Sequence, residues 1–558
     1  MSNFNLEDSL TDTKLIKSSI YYAIHSRLND DHFCNFFELN INCKNNNRIE
    51  QLVEYIRNIY SLSQPYIQDE SFAYAYPKAD FFIRRCTYLP FKEYAVRYHL
   101  INTLSLAVEN CFIKTSYANR TQRSQSGFIC LFKDYDPEHK KFIKWGKNLV
   151  KKFNEENKEF YLLNADITSF YDSVSPNYLI NTIFDLTGSI LPRKYEPLFY
   201  QILQPKIEFY SIIDGLLKSE KKHQGLLIGN ITDGYLANIL LNRIDELMIA
   251  QGFNYARYVD DIKIITNTKD EVIKAVNILQ EELHRIGLNL NSAKTEIIPN
   301  PKSFKDFFRK DHQISFCNDL IIEEKWEDDN EDDIDIKNIN IKANFCQEDY
   351  IKITNYLFDL SIFDNYDEEL VIQLISKIPE IVHKYPKTIK KNTWNIVKII
   401  NFGYTNNIII AGYKAMNEIF KNKDIIDYAR TRLIHHLVKP RRKDPPYILM
   451  MVKDNERFRE KLISIFQDFL STKSIDLNVN SLYALWILCH KENKNSFDEI
   501  LFRQSIDNYL PRPISHTLSR VLASILSHKD SSNFLDDFDF TDLSDNSESV
   551  GLDDLNYS

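Results

Sequence analysis

Two adjacent aspartates, Asp260 and Asp261, inside the run YARYVDDIKII at 255–265, constrain this chain more than any other stretch. Apolar and aromatic residues alternate on either side, which predicts two short strands joined at the carboxylates. Like charges at a tight turn repel unless a cation neutralises them, and hard oxygen ligands of this kind suit Mg²⁺. A solvated acidic hairpin tip is the plainer reading of a bare pair. The surrounding segments weigh against it.

Upstream lies EFYLLNADITSFYDSVSP, in which 160–165 reads as a strand ending at Asp166. One aspartate closing a strand and a pair at a hairpin turn are the minimum kit for two-metal phosphoryl transfer. Asp166 and Asp260 then bridge cations about 3.5–4 Å apart. The Ile167 carbonyl offers a further ligand, and Tyr171 a ring beneath the sugar of an incoming nucleotide.

Between these segments runs HQGLLIGNITDGYLANILLNRID, 223–245. Gln224, Gly225 and Gly229 predict a loop, with Leu236, Ala237, Leu240 and Ile244 on one helical face behind it. A glycine loop opening a helix packs closely against a base pair and a template strand, although many helices begin this way. After the hairpin, IGLNLNSAKTEIIP predicts a turn, a short strand and Lys294. That lysine either protonates departing pyrophosphate or is a solvated surface group.

In this order the segments DITSFY, QGLLIG with LAN and LNRID, YVDD and GLNLNSAKTEI resemble motifs A to D of reverse-transcriptase palms, over about 80–300. The resemblance implies an α+β right-hand polymerase of fingers and palm. It makes Asp166, Asp260, Asp261 and the Ile167 carbonyl the ligands of two Mg²⁺ ions, or Mn²⁺ in their place, with Asp261 the least direct. It makes Tyr171 the steric gate that selects deoxynucleoside triphosphates, Gln224 and Gly225 the contacts to nucleotide and template, and Lys294 a catalytic lysine. Two positions depart from the usual pattern: Leu227 stands where proline commonly follows, and Asp233 where serine is usual. They bear on nucleotide handling rather than on metal chemistry.

From 81, FFIRRCTYLPFKEYAVRYHL resembles the fingers entry, where Arg84 and Arg85 would grip the triphosphate through paired guanidinium bonds. Two surface arginines on a strand are the alternative. The loop 116–127, with Arg120 and Arg123, resembles the rest of the fingers less specifically. The run 131–153 interleaves lysines with Phe and Trp. As a helix it suits a nucleic-acid backbone, or is simply a solvated face.

A net charge of −9 opposes a nucleic-acid reading, but 530–558 holds nine acidic residues and no Lys or Arg, so the remainder is formally neutral. With only 12 glycines among 558 residues, the body should be mostly helical. Eight cysteines without CxxC or zinc spacing, and no signal-like start, read as reduced thiols of a cytoplasmic protein. No apolar run is long enough to span a membrane.

The expected organisation is an N-terminal helical extension at 1–75, with helices at 16–28 and 49–61, then fingers and palm at 76–322. An acidic linker at 323–346 follows, nine of its residues 323–335 being Asp or Glu. Amphipathic helices are predicted at 350–362, 368–378, 392–400, 408–420, 425–438, 456–470, 481–489, 497–509 and 514–527. They predict an all-α HEAT-like helical-repeat domain at 347–529, a compact bundle being the alternative. Lys439, Arg441, Arg442 and Lys443 would face product or template. The tail 530–558 reads as disordered.

A palm joined to helical repeats resembles the bacterial abortive-infection and defence-associated reverse transcriptases. That resemblance implies antiphage defence and a homo-oligomer. Some members synthesise DNA without a template from a protein hydroxyl, leaving the DNA product covalently attached. Two alternatives stay open: a conventional RNA-templated enzyme of the retron or group II intron type with a dedicated RNA, and a catalytically silent scaffold. Three unpaired carboxylates retained without metals would be costly, which weighs against the scaffold.

Overall fold

Apolar side chains at helical spacing, among them Leu6, Leu10, Ile16, Ile20, Val53 and Ile56, bury one side of three N-terminal helices. These are α1 (Leu6–Thr11), α2 (Thr13–Asn29) and α3 (Asn46–Tyr60). The helices α2 and α3 match the predicted ones within a few residues. The six-residue α1 was not foreseen; Asn5 starts it by accepting the Glu7 amide. The computed structural model describes residues 5–29, 46–69, 71–79, 82–122, 130–210, 219–221, 225–301, 321–322, 340–341, 353, 368–384, 406–422, 430, 433–434, 437–438, 456–472, 475–489, 498–507, 509 and 522.

Strands β1 (Ser71–Ala79) and β2 (Phe82–Tyr88) form a hairpin, followed by helix α4 (Phe91–Val108). Nearly every residue of α4 is buried, because the N-terminal helices cover one side of it and the palm helices another. His99 on α4 joins the two layers. One ring nitrogen meets the Leu10 carbonyl at 2.9 Å and the other the Ser19 hydroxyl at 3.1 Å.

Burial holds the His99 imidazole down at about 4, against a partial opposing pull from the Leu10 carbonyl. An unfolded histidine takes its proton near 6.5. Between those values only the unfolded chain is protonated, so this contribution is complete above pH ~6.5 and is lost as pH falls towards 4. It amounts to at most about 3 kcal/mol. Denaturant melts at pH 7 and pH 4.5 should show wild type losing more stability than His99→Gln.

After the short strand β3 (Ser116–Tyr117) come α5 (Tyr135–Glu155), β4 (Tyr161–Asp166), α6 (Phe170–Ser173), α7 (Pro176–Thr187) and α8 (Glu196–Leu203). Strands β5 (Ile207–Tyr210) and β6 (Ser219–Lys221) complete the hairpin's sheet in the order β2-β1-β5-β6. The long helix α9 (Ile231–Ala250) leads into β7 (Asn254–Tyr258) and β8 (Asp261–Thr266), then α10 (Lys269–Arg285) and β9 (Glu296–Pro299).

A second sheet has the order β3-β7-β8-β4-β9. Period-two alternation gives it two apolar faces. Leu163, Ile262 and Ile264 point into the main core with α9 and α10, while Leu162 and Ile265 pack with Val150, Phe153 and Phe160 around α5. Covered on both sides, β4 and β8 are rigidly held, and they carry the aspartates.

Two-residue strands β10 (Ile321–Ile322) and β11 (Asn340–Ile341) pair with each other. Part of the expected linker is therefore ribbon, consistent with the alternating isoleucines of IDIKNINI. Beyond them lie α11 (Glu368–Lys384), α12 (Asn406–Lys421), α13 (Glu456–Leu470), α14 (Ile475–Leu488) and α15 (Glu499–Ile506). Helix α11 packs on α12, and α13 on α14. The first runs past its expected end through Pro379, and α14 starts six residues before the predicted helix. The predicted helices at 408–420, 456–470 and 497–509 correspond to α12, α13 and α15, while those at 350–362, 392–400, 425–438 and 514–527, the basic run 439–443, most of the acidic linker and the tail lie largely or wholly outside the described residues. No helix among the described residues is long and apolar enough to cross a membrane.

Candidate active site

Antiparallel pairing of β4 with β8 sets Asp166 directly opposite Asp261, and Asp260 occupies the turn just before it. Paired residues in such a ladder have Cα atoms only about 4.5–5.5 Å apart. Three carboxylates from two segments thus meet at one sheet end, lining a cavity of about 1630 Å³. Ile167, Tyr171 and Lys294 line the same cavity. Lys294 arrives because the Asn291 amide donates to the Asp166 carbonyl at 2.7 Å, which docks the 291–295 turn on β4.

The three aspartates are not equivalent. Lys294 Nζ lies 2.9 Å from Asp166 Oδ2, and Asn291 Nδ2 donates to the same oxygen at 3.2 Å. Lys263, buried in β8, reaches Asp261 Oδ1 at 2.5 Å and also bonds Asn164. Expecting three unpaired carboxylates was therefore wrong for two of them: a lysine neutralises Asp166 and another Asp261. Burial, with the charges of Asp166 and Asp261, pushes the Asp260 carboxyl above its ordinary range, and Lys294 only partly offsets this.

As the side chains stand, no three His, Cys, Asp or Glu groups among the described residues are close enough together to share one metal ion; the three aspartates share a cavity but not yet a single coordination point. The donor set nevertheless fits a hard divalent cation: three carboxylates, one in excess of the local positive charge and largely desolvated.

The turn itself is strained. Val259, a β-branched residue, has φ +58, a conformation costing about 1–3 kcal/mol. Arg257 holds it, with Nη1 donating to the Val259 carbonyl at 2.9 Å. Arg257 is completely buried and forks onto Asp245 at 2.9 and 2.6 Å, and it also reaches Asn238 and Ser116. Tyr255 donates to the same Asp245 at 2.6 Å. Val259→Gly should raise stability by about 1 kcal/mol in denaturant melts, by releasing the strain.

Tyr171 sits on the one-turn helix α6, and its carbonyl accepts the Leu226 amide at 2.7 Å. Gly225 has φ +93, and a Cβ there would lie 2.2 Å from the Tyr171 carbonyl oxygen. Glycine is required on both counts. Gln224 lies outside the described residues. Arg84 and Arg85 are on β2, in the other sheet; Arg85 is exposed and is not among the described residues that line the cavity. Of the remaining fingers residues, Arg120 pairs internally with Glu109 at 2.6 Å.

Sequence reasoning missed Lys263, Arg257, Asp245 and the wall that α2 adds through Tyr22, His25 and Ser26. A charged residue inside an apolar strand, as in YARY and DIKII, was the available signal for the first two.

Residues 92–315 match the family model described as reverse transcriptase (RNA-dependent DNA polymerase). This segment is a reverse transcriptase domain. It spans β3-β7-β8-β4-β9 with all three aspartates, and the family it matches is one of nucleotidyltransferases. No curated protein matches the sequence.

Among solved structures, apo telomerase from Candida tropicalis aligns at 12% identity and TM-score 0.34, over 79% of this chain and 74% of that one. A form truncated from its C-terminal domain gives 16% and 0.31, over 41% and 50%. Telomerase from Candida albicans, in complex with a fragment of telomeric RNA, gives 12% and 0.32, over 76% and 65%. The alignment thus spans about half the length of the truncated form. Superpositions this loose add nothing to the domain assignment, which rests on the family match.

Proposed function

We propose that the reverse transcriptase domain adds deoxynucleotides to a 3′ end by two-metal phosphoryl transfer, as a DNA polymerase of bacterial antiphage defence. The observation that carries the chemistry is the convergence of Asp166, Asp260 and Asp261 in one cavity with Tyr171. Asp166 and Asp260 would hold two Mg²⁺ or Mn²⁺ ions, with the Ile167 carbonyl a further ligand and Asp261 the least direct. Bound there, the ions supply charge stabilisation to attacking and leaving oxygens. Tyr171 excludes a 2′-hydroxyl, and Lys294 delivers a proton towards pyrophosphate.

Lys294 and a cation compete for the same Asp166 oxygen. Lys294→Met should therefore lower the Mg²⁺ concentration giving half-maximal rate, while kcat falls by about 10²-fold for lack of the acid. Steady-state rates across a Mg²⁺ titration measure both. An unchanged Mg²⁺ requirement counts against the competition.

The paired helices α11–α12 and α13–α14 support a HEAT-like repeat domain beside the palm, the arrangement of defence-associated members. In that reading synthesis proceeds without a template from a protein hydroxyl, in a cytoplasmic homo-oligomer. The family model's RNA-dependent description favours a second reading, an RNA-templated enzyme with a dedicated RNA.

Radiolabelled nucleotide incorporation, with and without RNA template and external primer, separates the two. Product that enters a denaturing gel only after protease treatment marks protein priming. Synthesis that depends on RNA selects the second reading, and no divalent-dependent incorporation under any condition overturns both.

A further inference from the structure

The two motif positions that depart from the usual pattern are bonded to each other. Leu227 donates its backbone N–H to Asp233 Oδ1 at 2.7 Å, a bond that proline at this position could not make. Asp233, fully buried on the first turn of α9, is also gripped by Arg97 of α4 at 3.0 and 2.5 Å. Arg97 further donates to the Ile202 carbonyl at the end of α8, at 2.7 Å.

The loop these groups hold is tied at both ends. Leu226, the neighbour of Leu227, donates to the Tyr171 carbonyl at 2.7 Å, and Gly225 lies against the same carbonyl. On the other side, Thr87 of β2 donates to the Ile228 carbonyl at 2.9 Å, and Asn230 returns a bond to the Thr87 carbonyl.

We infer that Asp233, set by Arg97, is a positioning residue for sugar recognition: it fixes the Leu226–Leu227 backbone, and that backbone fixes Tyr171 over the catalytic cavity. This rests on the nucleotide-adding function proposed above. Each link is short and largely water-excluded, so a displacement of Leu227 passes to Tyr171 undamped. The metal aspartates, held by β4 and β8, do not move with it. A fault in this chain therefore changes which sugar fits and how tightly, rather than the chemical step.

The test compares Leu227→Pro, which removes the N–H, with Leu227→Ala, which keeps it and removes the side chain. For each, KM and kcat are measured with deoxy- and ribonucleoside triphosphates. Binding of the same nucleotides is measured by calorimetry with Ca²⁺, which needs no turnover.

Leu227→Pro should raise the deoxynucleotide KM about tenfold and lower the deoxy-to-ribo preference about tenfold, the weight of one bond to a charged acceptor. Its kcat should stay within about twofold. Leu227→Ala, which keeps the N–H, should lose thermal stability but shift the preference by less than about threefold. Equal preference in wild type and Leu227→Pro, or equal loss in both variants, overturns the inference.

The two proposals fail separately. Wild type that binds deoxynucleotides selectively, loses that selectivity in Leu227→Pro, yet never incorporates them would sink the polymerase reading alone. Incorporation with unaltered sugar preference in Leu227→Pro would sink this one alone.

Discussion

Replacing Asp166 or Asp260 with alanine should lower nucleotide incorporation by about 10³-fold or more, a loss of roughly 4 kcal/mol of transition-state stabilisation. The two variants should differ in stability. Asp260 is largely desolvated beside two like charges, so its removal relieves repulsion and should raise the melting temperature. Asp166 is the partner of Lys294, and its removal forfeits that pair, which is partly exposed and worth at most about 1 kcal/mol.

A site kept for function at a cost in stability behaves this way. The measurement is incorporation with saturating Mg²⁺ alongside thermal melts of each variant. Full activity in Asp260→Ala, or a large destabilisation by it, would mean that the aspartate is structural.

The largest effect on stability should come from Asp245→Ala. It leaves the Arg257 guanidinium in the core without its carboxylate, and breaking such a buried pair costs about 3–5 kcal/mol. The Tyr255 hydroxyl loses its acceptor at the same time. Activity should fall as well, because the same guanidinium restrains Val259 beside Asp260.

Removing both charges, in Asp245→Leu with Arg257→Met, should recover much of the stability but little of the rate, since nothing then holds the turn. Denaturant unfolding and incorporation assays on the single and double variants check this. Recovery of full rate in the double variant would show that the turn keeps its shape unaided.

Much of the catalytic layout was legible in the residues themselves. The strand ending at Asp166, the hairpin at Asp260 and Asp261, and the turn carrying Lys294 each combine a local pattern of alternation with a carboxylate or lysine at its end. Such signals span only a few residues, and short-range sterics and period-two burial suffice to produce them. The helices α2, α3, α12 and α13 were legible for the same kind of reason, through apolar residues three and four apart.

The partner of Arg97 was not legible. Arg97 and Asp233 are 136 positions apart, and nothing local to either residue names the other. Arg84 and Arg85, expected in the fingers, lie on a different sheet from the aspartates.

Strand alternation, the residues at strand ends and the resemblance they carry were enough to expect that Asp166, Asp260 and Asp261 would meet at one sheet end. That Lys294 comes to neutralise Asp166, and that Leu226 comes to bond the Tyr171 carbonyl, depend on contacts between segments far apart in the chain. Those contacts exist only once the two sheets and the helix α4 have packed, because a buried charge selects its partner by proximity in the folded interior.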